Sequence, residues 1–284
     1  MPYDIRITML KFNKVADMIE PIFIFYYVVV GLVVGFLAGL AGVGGGGMTV
    51  PLFTILFTIQ GIATDEVVHL ALGTSMAGMV FTTFGSMRAH YIKDNVASGM
   101  AVKMTFGVFI GTFLSTFIAS YVPGGYLALF FSVFMMYVAY KMFQKQSYYH
   151  NPKPHGPITN MINGSVIGSI SALVSVSGAG LTVPYLMHQN FDIKRAIGTS
   201  AAIGFPLALS GTLGYLINGW ANTDWNSLII GYVYLPAVVL FAISSYFAAS
   251  VGVRYATILP ADMLKKIIGV LSVALSIKMF LSVL

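Results

Sequence analysis

Between Glu20 and Asp65 no residue carries a charge, and the run PIFIFYYVVVGLVVGFLAGLA that opens this stretch is apolar on every side of a helix. Such a helix is either the heart of a large protein or a membrane span, and roughly 18 residues suffice for a span. Comparable stretches recur to the C-terminus. Only 8% of the 284 residues are charged, against ~25% in a soluble domain. The chain lacks the polar surface to cover a water-soluble globule of its size. It reads as an all-α polytopic membrane protein.

Ten hydrophobic segments can be outlined, over about 22–42, 46–59, 68–89, 96–120, 124–143, 159–176, 179–189, 196–217, 227–251 and 263–283. The second and seventh are too short to span alone. Residues 1–20 mix basic and acidic side chains and lack the apolar core of a secretory signal; they read as an interfacial helix or a solvated segment. The polar linker QKQSYYHNPKPHGP then divides a first transmembrane repeat (21–143) from a second (159–284), with 144–158 between them.

Charge fixes orientation. Arg88, Lys93, Lys141, Lys145, Lys153, Lys194, Arg195, Arg254, Lys265 and Lys266 all fall at connections on one side. The connections near 61–67, 122–125 and 218–226 hold no Lys or Arg but contain Asp65, Glu66 and Asp224. The positive-inside rule makes the first set, with the central linker, cytoplasmic in a bacterial inner membrane. The net charge of +6 is then a matter of topology. No Lys/Arg cluster interleaved with aromatics points to nucleic acid.

The halves repeat. GGMTVPL (Gly46 to Leu52) returns as AGLTVPY (Ala179 to Tyr185), and LGTSMAG (Leu72 to Gly78) returns as IGTSAAI (Ile197 to Ile203), in the same order. Five segments per half make the second copy run opposite to the first. Inverted repeats with interrupted helices in matching places are the sequence mark of a secondary transporter, with its substrate near the midplane.

The interruption itself is GLAGVGGGGMTVP. Gly42, Gly44 and Gly47 satisfy the G-x-G-x-x-G pattern, but the apolar run before them is about twice a strand's length and no βαβ unit follows. The copy SVSGAGLTVP keeps the break and loses the fingerprint. A nucleotide site is therefore rejected. Irregular backbone at bilayer depth is tolerated where it is buried in protein or lines a cavity, and a half-helix starting there presents free N–H groups and a positive dipole end to an anion. Gly44, Gly45, Gly46 and Gly47, with Ser175, Ser177 and Gly178 of the copy, are expected to hold a small anion between two opposed helix starts. Close helix packing is the competing reading, and the better one for Gly35, Gly39, Gly107 and Gly111.

Around these breaks the residues resemble the sulfite exporter TauE/SafE family of membrane permeases. The resemblance rests on GLAGVGGGGMTVPL, ALGTSMAGMVFTTFGSMRAHY, SGAGLTVPYL and AIGTSAAIGFPLALSGTLGYL, and covers almost the whole chain from Val30. It implies transport, most simply export, of a small sulfur-containing anion such as sulfoacetate or sulfite. Ser175 and Ser177 stand where the first copy has glycines, which leaves strict symmetry of the two half-sites open.

Hydroxyl donors near the breaks complete the candidate set. Thr74, Ser75, Thr199 and Ser200 lie in the two Gly-Thr-Ser motifs, and Thr49 and Thr182 follow the breaks; each can donate to an anion or bond a carbonyl one turn back. Arg88 and His90 are a candidate gate, although Arg88 reads equally as a positive-inside anchor. His69 reads as interfacial, and His150 and His155 as solvated. No Asp or Glu lies in mid-segment, so a carboxylate proton relay is not expected, and any coupled proton falls to His69, His90 or the substrate. With no cysteine, no Walker lysine motif and no metal-ligand cluster, neither a cofactor nor catalysis is expected. An anion channel is the alternative reading, an intramembrane enzyme a weaker one. The expected partners are the anion and the bilayer, with a homodimer compatible.

Overall fold

The computed structural model describes residues 20–41, 45–62, 66–144, 155–256 and 258–281. Gly44, nearly all of the N-terminal segment and most of the central linker lie outside the described residues. The described residues form ten helices: α1 (Pro21–Ala41), α2 (Gly46–Gln60), α3 (Val67–Ile92), α4 (Ser98–Tyr121), α5 (Gly124–Phe143), α6 (Pro157–Val174), α7 (Ala179–His188), α8 (Ile193–Asn218), α9 (Leu235–Ala256) and α10 (Ala261–Leu281). Six of them, α1, α3, α4, α5, α8 and α9, are long and apolar enough to cross a membrane. The chain is a multi-pass membrane protein.

Its surface shows the same solvent. On α4, Val102, Phe106, Ile110, Leu114 and Ile118 recur every fourth residue and are exposed, while Met104, Val108, Gly111, Thr112, Ser115 and Thr116 are buried. The apolar stripe faces outward to hydrocarbon and the small, hydroxyl-bearing stripe faces protein, as helix association in lipid requires.

One segment departs from expectation. Residues 227–251 read as one apolar run, but its start is a short antiparallel hairpin, β1 (Ile229–Ile230) with β2 (Val233–Tyr234), and α9 begins only at Leu235. Leu228 and Gly231 are left-handed, at φ 56° and 58°, which turns the chain before Pro236 sets the first turn of the helix. Asp224 initiates the loop: Ser227 Oγ donates to its carboxylate at 2.5 Å and the Asn226 N–H at 3.0 Å. These bonds hold the Asp224 carboxyl below its ordinary pKa.

The short second and seventh segments fold as returning arms. Tyr27 Oη donates to Gln60 Oε1 at 2.5 Å, which puts the end of α2 beside the start of α1. Tyr185 Oη donates to Asn160 Oδ1 at 2.7 Å, which puts the end of α7 beside the start of α6. The α1–α2 and α6–α7 pairs are thus helical hairpins whose tips are the two breaks. Three crossings, α3, α4 and α5, separate their bases.

Around the hairpins the helix pairings of one half have counterparts in the other. α1 packs along α9 and α6 along α4, while α3 and α8 pack on each other and α5 packs on α10. Gly35 and Gly39 lie against the Ser245 and Ala249 backbone, and Gly107 and Gly111 against that of Met161 and Ser165. Those four glycines are packing residues, as expected from the sequence. Between α5 and α10, Ser132 Oγ donates to the Ser276 carbonyl at 2.9 Å and Ser276 Oγ donates to the Ser132 carbonyl at 2.8 Å.

Candidate substrate site between two helix breaks

Each break ends in a left-handed glycine. Gly45 has φ 81° and ψ −19°, Gly178 φ 74° and ψ −6°, and each precedes the first residue of a half-helix. An L side chain is disfavoured there by roughly 1–2 kcal/mol, which is why the glycine is needed. Neither helix start has a side-chain cap, so the first two N–H groups of each have no intrahelical acceptor, while the third, of Met48 and of Leu181, donates to the glycine carbonyl at 3.0 and 2.9 Å. The Thr-Val-Pro that follows adds a second irregularity. Pro51 and Pro184 sit inside α2 and α7, and a proline cannot donate to the carbonyl four residues back. The carbonyls of Gly47 and Gly180 therefore lose their helical donor.

The two tips meet. A Cβ placed on Gly46 would stand 1.7 Å from the Ser175 carbonyl oxygen, so the first half-helix starts directly against the second break. Ser175 is itself left-handed (φ 47°) and donates through Oγ to the Leu72 carbonyl of α3 at 3.1 Å. Across the junction, a Cβ on Gly204 of α8 would lie 3.1 Å from Ser177 Cβ and 3.2 Å from Thr83 Cγ2 of α3. The site is enclosed by both hairpin tips, α3 and α8.

The Gly-Thr-Ser motifs resolve into three separate jobs, the same in each half. Gly73 and Gly198 admit a carbonyl: a Cβ there would fall 2.1 Å from the oxygen of Tyr232 and 2.3 Å from that of Asn95. Thr74 and Thr199 accept a buried N–H, from Tyr234 at 3.0 Å and from Ala97 at 2.9 Å, the residues just before α9 and α4. Ser75 and Ser200 are fully buried, and their hydroxyls have no hydrogen-bond partner among the described residues. The threonines anchor helix starts, and the serines are left for something else.

The other candidates divide similarly. Thr49 Oγ1 donates to the Gly45 carbonyl at 2.9 Å, whereas the hydroxyls of Ser177 and Thr182 are buried without a partner among the described residues. Arg88 and His90 lie at the far end of α3; the fifteen residues from Ser75 to His90 make about 22 Å of helix. Arg88 is exposed and donates to Tyr246 Oη at 3.2 Å. His90 is buried, facing the Gly39 carbonyl at a geometry short of a hydrogen bond. Arg88 thus points away from the protein, whereas His90 sits beside Gly39, near the end of α1 that leads into the first break. His69, expected at the interface, is buried, with Nε2 between the carbonyls of Ala119 (3.1 Å) and Val122 (3.0 Å), the end of α4.

A polar cluster at the open end of the second hairpin escaped the sequence reading. Tyr185 Oη donates to Asn160, Asn163 Nδ2 donates to Tyr185 Oη at 3.2 Å, Gln189 Nε2 donates to Asn160 Oδ1 at 3.1 Å, and His155 Nδ1 lies 3.2 Å from Tyr185 Oη. His155 is accordingly half-buried and bonded, where a solvated linker residue was expected. The one visible signal was Tyr185 standing where the first copy has Leu52. Among the described residues the buried polar side chains are Ser, Thr, His, Asn and Gln, with no carboxylate or cation, and no cluster of three metal-ligating residues occurs. Positive potential at the junction comes from helix ends alone.

Comparison with known proteins agrees with this architecture. The chain is 32% identical over 266 residues to a protein of Haemophilus influenzae named "Probable membrane transporter protein", covering 91% of this chain and 98% of that one. It is 26% identical over 250 residues to "Probable membrane transporter protein YdhB" of Bacillus subtilis (85% and 94% covered). It is 25% identical over 234 residues to "Probable membrane transporter protein MJ0441" of Methanocaldococcus jannaschii (80% and 84% covered). No solved structure matches it. The family model described as sulfite exporter TauE/SafE matches residues 27–279, and the chain, a membrane transporter by its relatives, belongs to that family.

Proposed function

We propose that this transporter moves a small sulfur-containing anion, such as sulfoacetate or sulfite, outward across a bacterial inner membrane. The linker is cytoplasmic, and the anion binds where the two hairpin tips meet. The observation that carries the reading is the pair of uncapped helix starts, on Gly45 and Gly178, with buried unpartnered hydroxyls of Ser75, Ser177, Thr182 and Ser200 close to them in the fold. Free N–H groups and hydroxyl donors without a neutralising acid make an anion site.

The two halves are inverted repeats, and exchange of their conformations gives alternating access. The matched helix pairings and the matched Gly-Thr-Ser interlocks support this. The driving force is the substrate gradient or a proton carried by the anion itself, by His69 or by His90, the described interior holding no buried carboxylate. The test is flux of labelled sulfite and sulfoacetate into liposomes containing purified protein. Saturable uptake, accelerated by unlabelled anion on the far side, supports a carrier. Flux that is linear in concentration and insensitive to the far side would make it a channel.

A further inference from the structure

The two left-handed glycines are alike in backbone and unlike in their surroundings. Extending the repeat upstream from TVP pairs Val34 with Ile167 and Ala38 with Ser171. The surroundings of the left-handed glycines follow that pairing. A Cβ on Gly45 would meet Val34 Cγ1 at 2.6 Å and Ala38 Cβ at 3.5 Å. A Cβ on Gly178 would meet Ile167 Cγ2 at 3.1 Å, Thr182 Oγ1 at 3.2 Å and Ser171 Oγ at 3.3 Å.

The threonines complete the contrast. Thr49 spends its hydroxyl proton on the Gly45 carbonyl, so among the described residues no free hydroxyl is left beside Gly45. The equivalent Thr182 does not: its hydroxyl and that of Ser171 are both fully buried and unpartnered among the described residues. A buried hydroxyl without a partner is costly, and two within 3.3 Å of one point beside an uncapped ten-residue helix are a built set of donors.

We infer that the anion is held at the second break alone, by the first N–H groups of α7 together with the hydroxyls of Ser171 and Thr182, while the first break is a closed, apolar pseudo-copy that shapes the site without binding. This inference rests on the proposed anion reading and makes it asymmetric. It also sets the ligand class. A site of neutral donors and one helix dipole matches a singly charged sulfonate or hydrogensulfite head group. Two charges on one head group, as in sulfate, would leave a buried, uncompensated charge.

Purified full-length protein is titrated with sulfoacetate, methanesulfonate, sulfite and sulfate by calorimetry, and the melting temperature is recorded without anion. Ser171→Ala and Thr182→Val are expected to weaken binding of methanesulfonate and sulfoacetate, the probes with a singly charged sulfonate head group, at least tenfold. They should raise or preserve the anion-free melting temperature, because each removes an unsatisfied hydroxyl. Thr49→Val, the control at the first break, should lower that temperature and leave affinity unchanged. Wild-type binding that survives in both second-break variants overturns this inference and leaves the anion reading standing. So would a drop in anion-free melting temperature in both, which would mean that the hydroxyls already have protein partners. Affinity lost on Thr49→Val restores the symmetric site. No binding of any probe by wild type rejects the anion reading, and this inference with it.

Discussion

Gly46 presses its bare Cα against the main-chain oxygen of Ser175, so that the tip of one helical hairpin is the wall of the other. The bareness of Gly46 therefore has a packing cause as well as any ligand cause. Gly46→Val cannot separate loss of transport from loss of the junction: a methyl 1.7 Å from a carbonyl oxygen has to move backbone. Overpacking a core costs about 1–3 kcal/mol, occasionally more, and the upper end is expected here. Gly47→Ala is the informative neighbour, because its Cβ would meet only the Met135 and Val176 side chains at 3.2–3.3 Å. Thermal melting in detergent should show a large loss for Gly46→Val and a small one for Gly47→Ala.

The division of labour inside Gly-Thr-Ser gives a second expectation. Thr74→Val and Thr199→Val each leave a buried N–H without its acceptor, at about 1–3 kcal/mol, and Ser at either position restores it. Anion affinity should not change in either. Ser75→Ala and Ser200→Ala are expected to do the opposite and keep the melting temperature, because each removes a buried hydroxyl without a partner among the described residues. A Thr variant that lost affinity with unaltered melting would reverse these assignments.

Arg88 tests what its charge is for. Its guanidinium is exposed and donates to Tyr246 Oη, about 20 Å of helix from Ser75. Arg88→Gln is therefore expected to leave the apparent affinity for sulfite within a factor of about two, because an exposed polar contact is worth ~1 kcal/mol or less. Its effect should appear in the fraction of protein inserted with the linker on the cytoplasmic side. Flux and linker accessibility measured on the same vesicles separate the two.

Tyr185→Phe removes the hydroxyl shared by Asn160, Asn163 and His155. Each lost bond contributes about 1 kcal/mol, and the open end of the second hairpin should loosen. Because the chain has no cysteine, a single Asn163→Cys reporter is clean. Its rate of labelling by a water-soluble maleimide should rise severalfold when Tyr185→Phe is added.

Element identity was legible because the physics behind it is local. An apolar run of span length, bounded by Lys or Asp, can be little other than a helix in lipid, and α5 falls at 124–143 in both readings. The β1–β2 hairpin was hidden because Ile229, Ile230 and Val233 are as apolar as the helix they precede, and only the positive φ of Leu228 and Gly231 stops the helix there. At the site, the breaks were readable from glycine, proline and repetition. What composition could not reveal was which hydroxyl finds a partner. Thr49 and Thr182 occupy the same motif position, and they differ in whether the hydroxyl reaches the glycine carbonyl one turn back. Ser171 was passed over because, away from the motif, a serine in an apolar helix looks like any other.

The reciprocal bonds between Ser132 and Ser276 have a mechanical consequence. On the proposed exchange of shapes between the halves, a contact that looks the same from either half is the fixed point, as the centre of a seesaw stays put while its ends change places. A disulfide installed through Ser132→Cys with Ser276→Cys would then pin the fulcrum and spare the swing, whereas a tether between the hairpin tips would stop it.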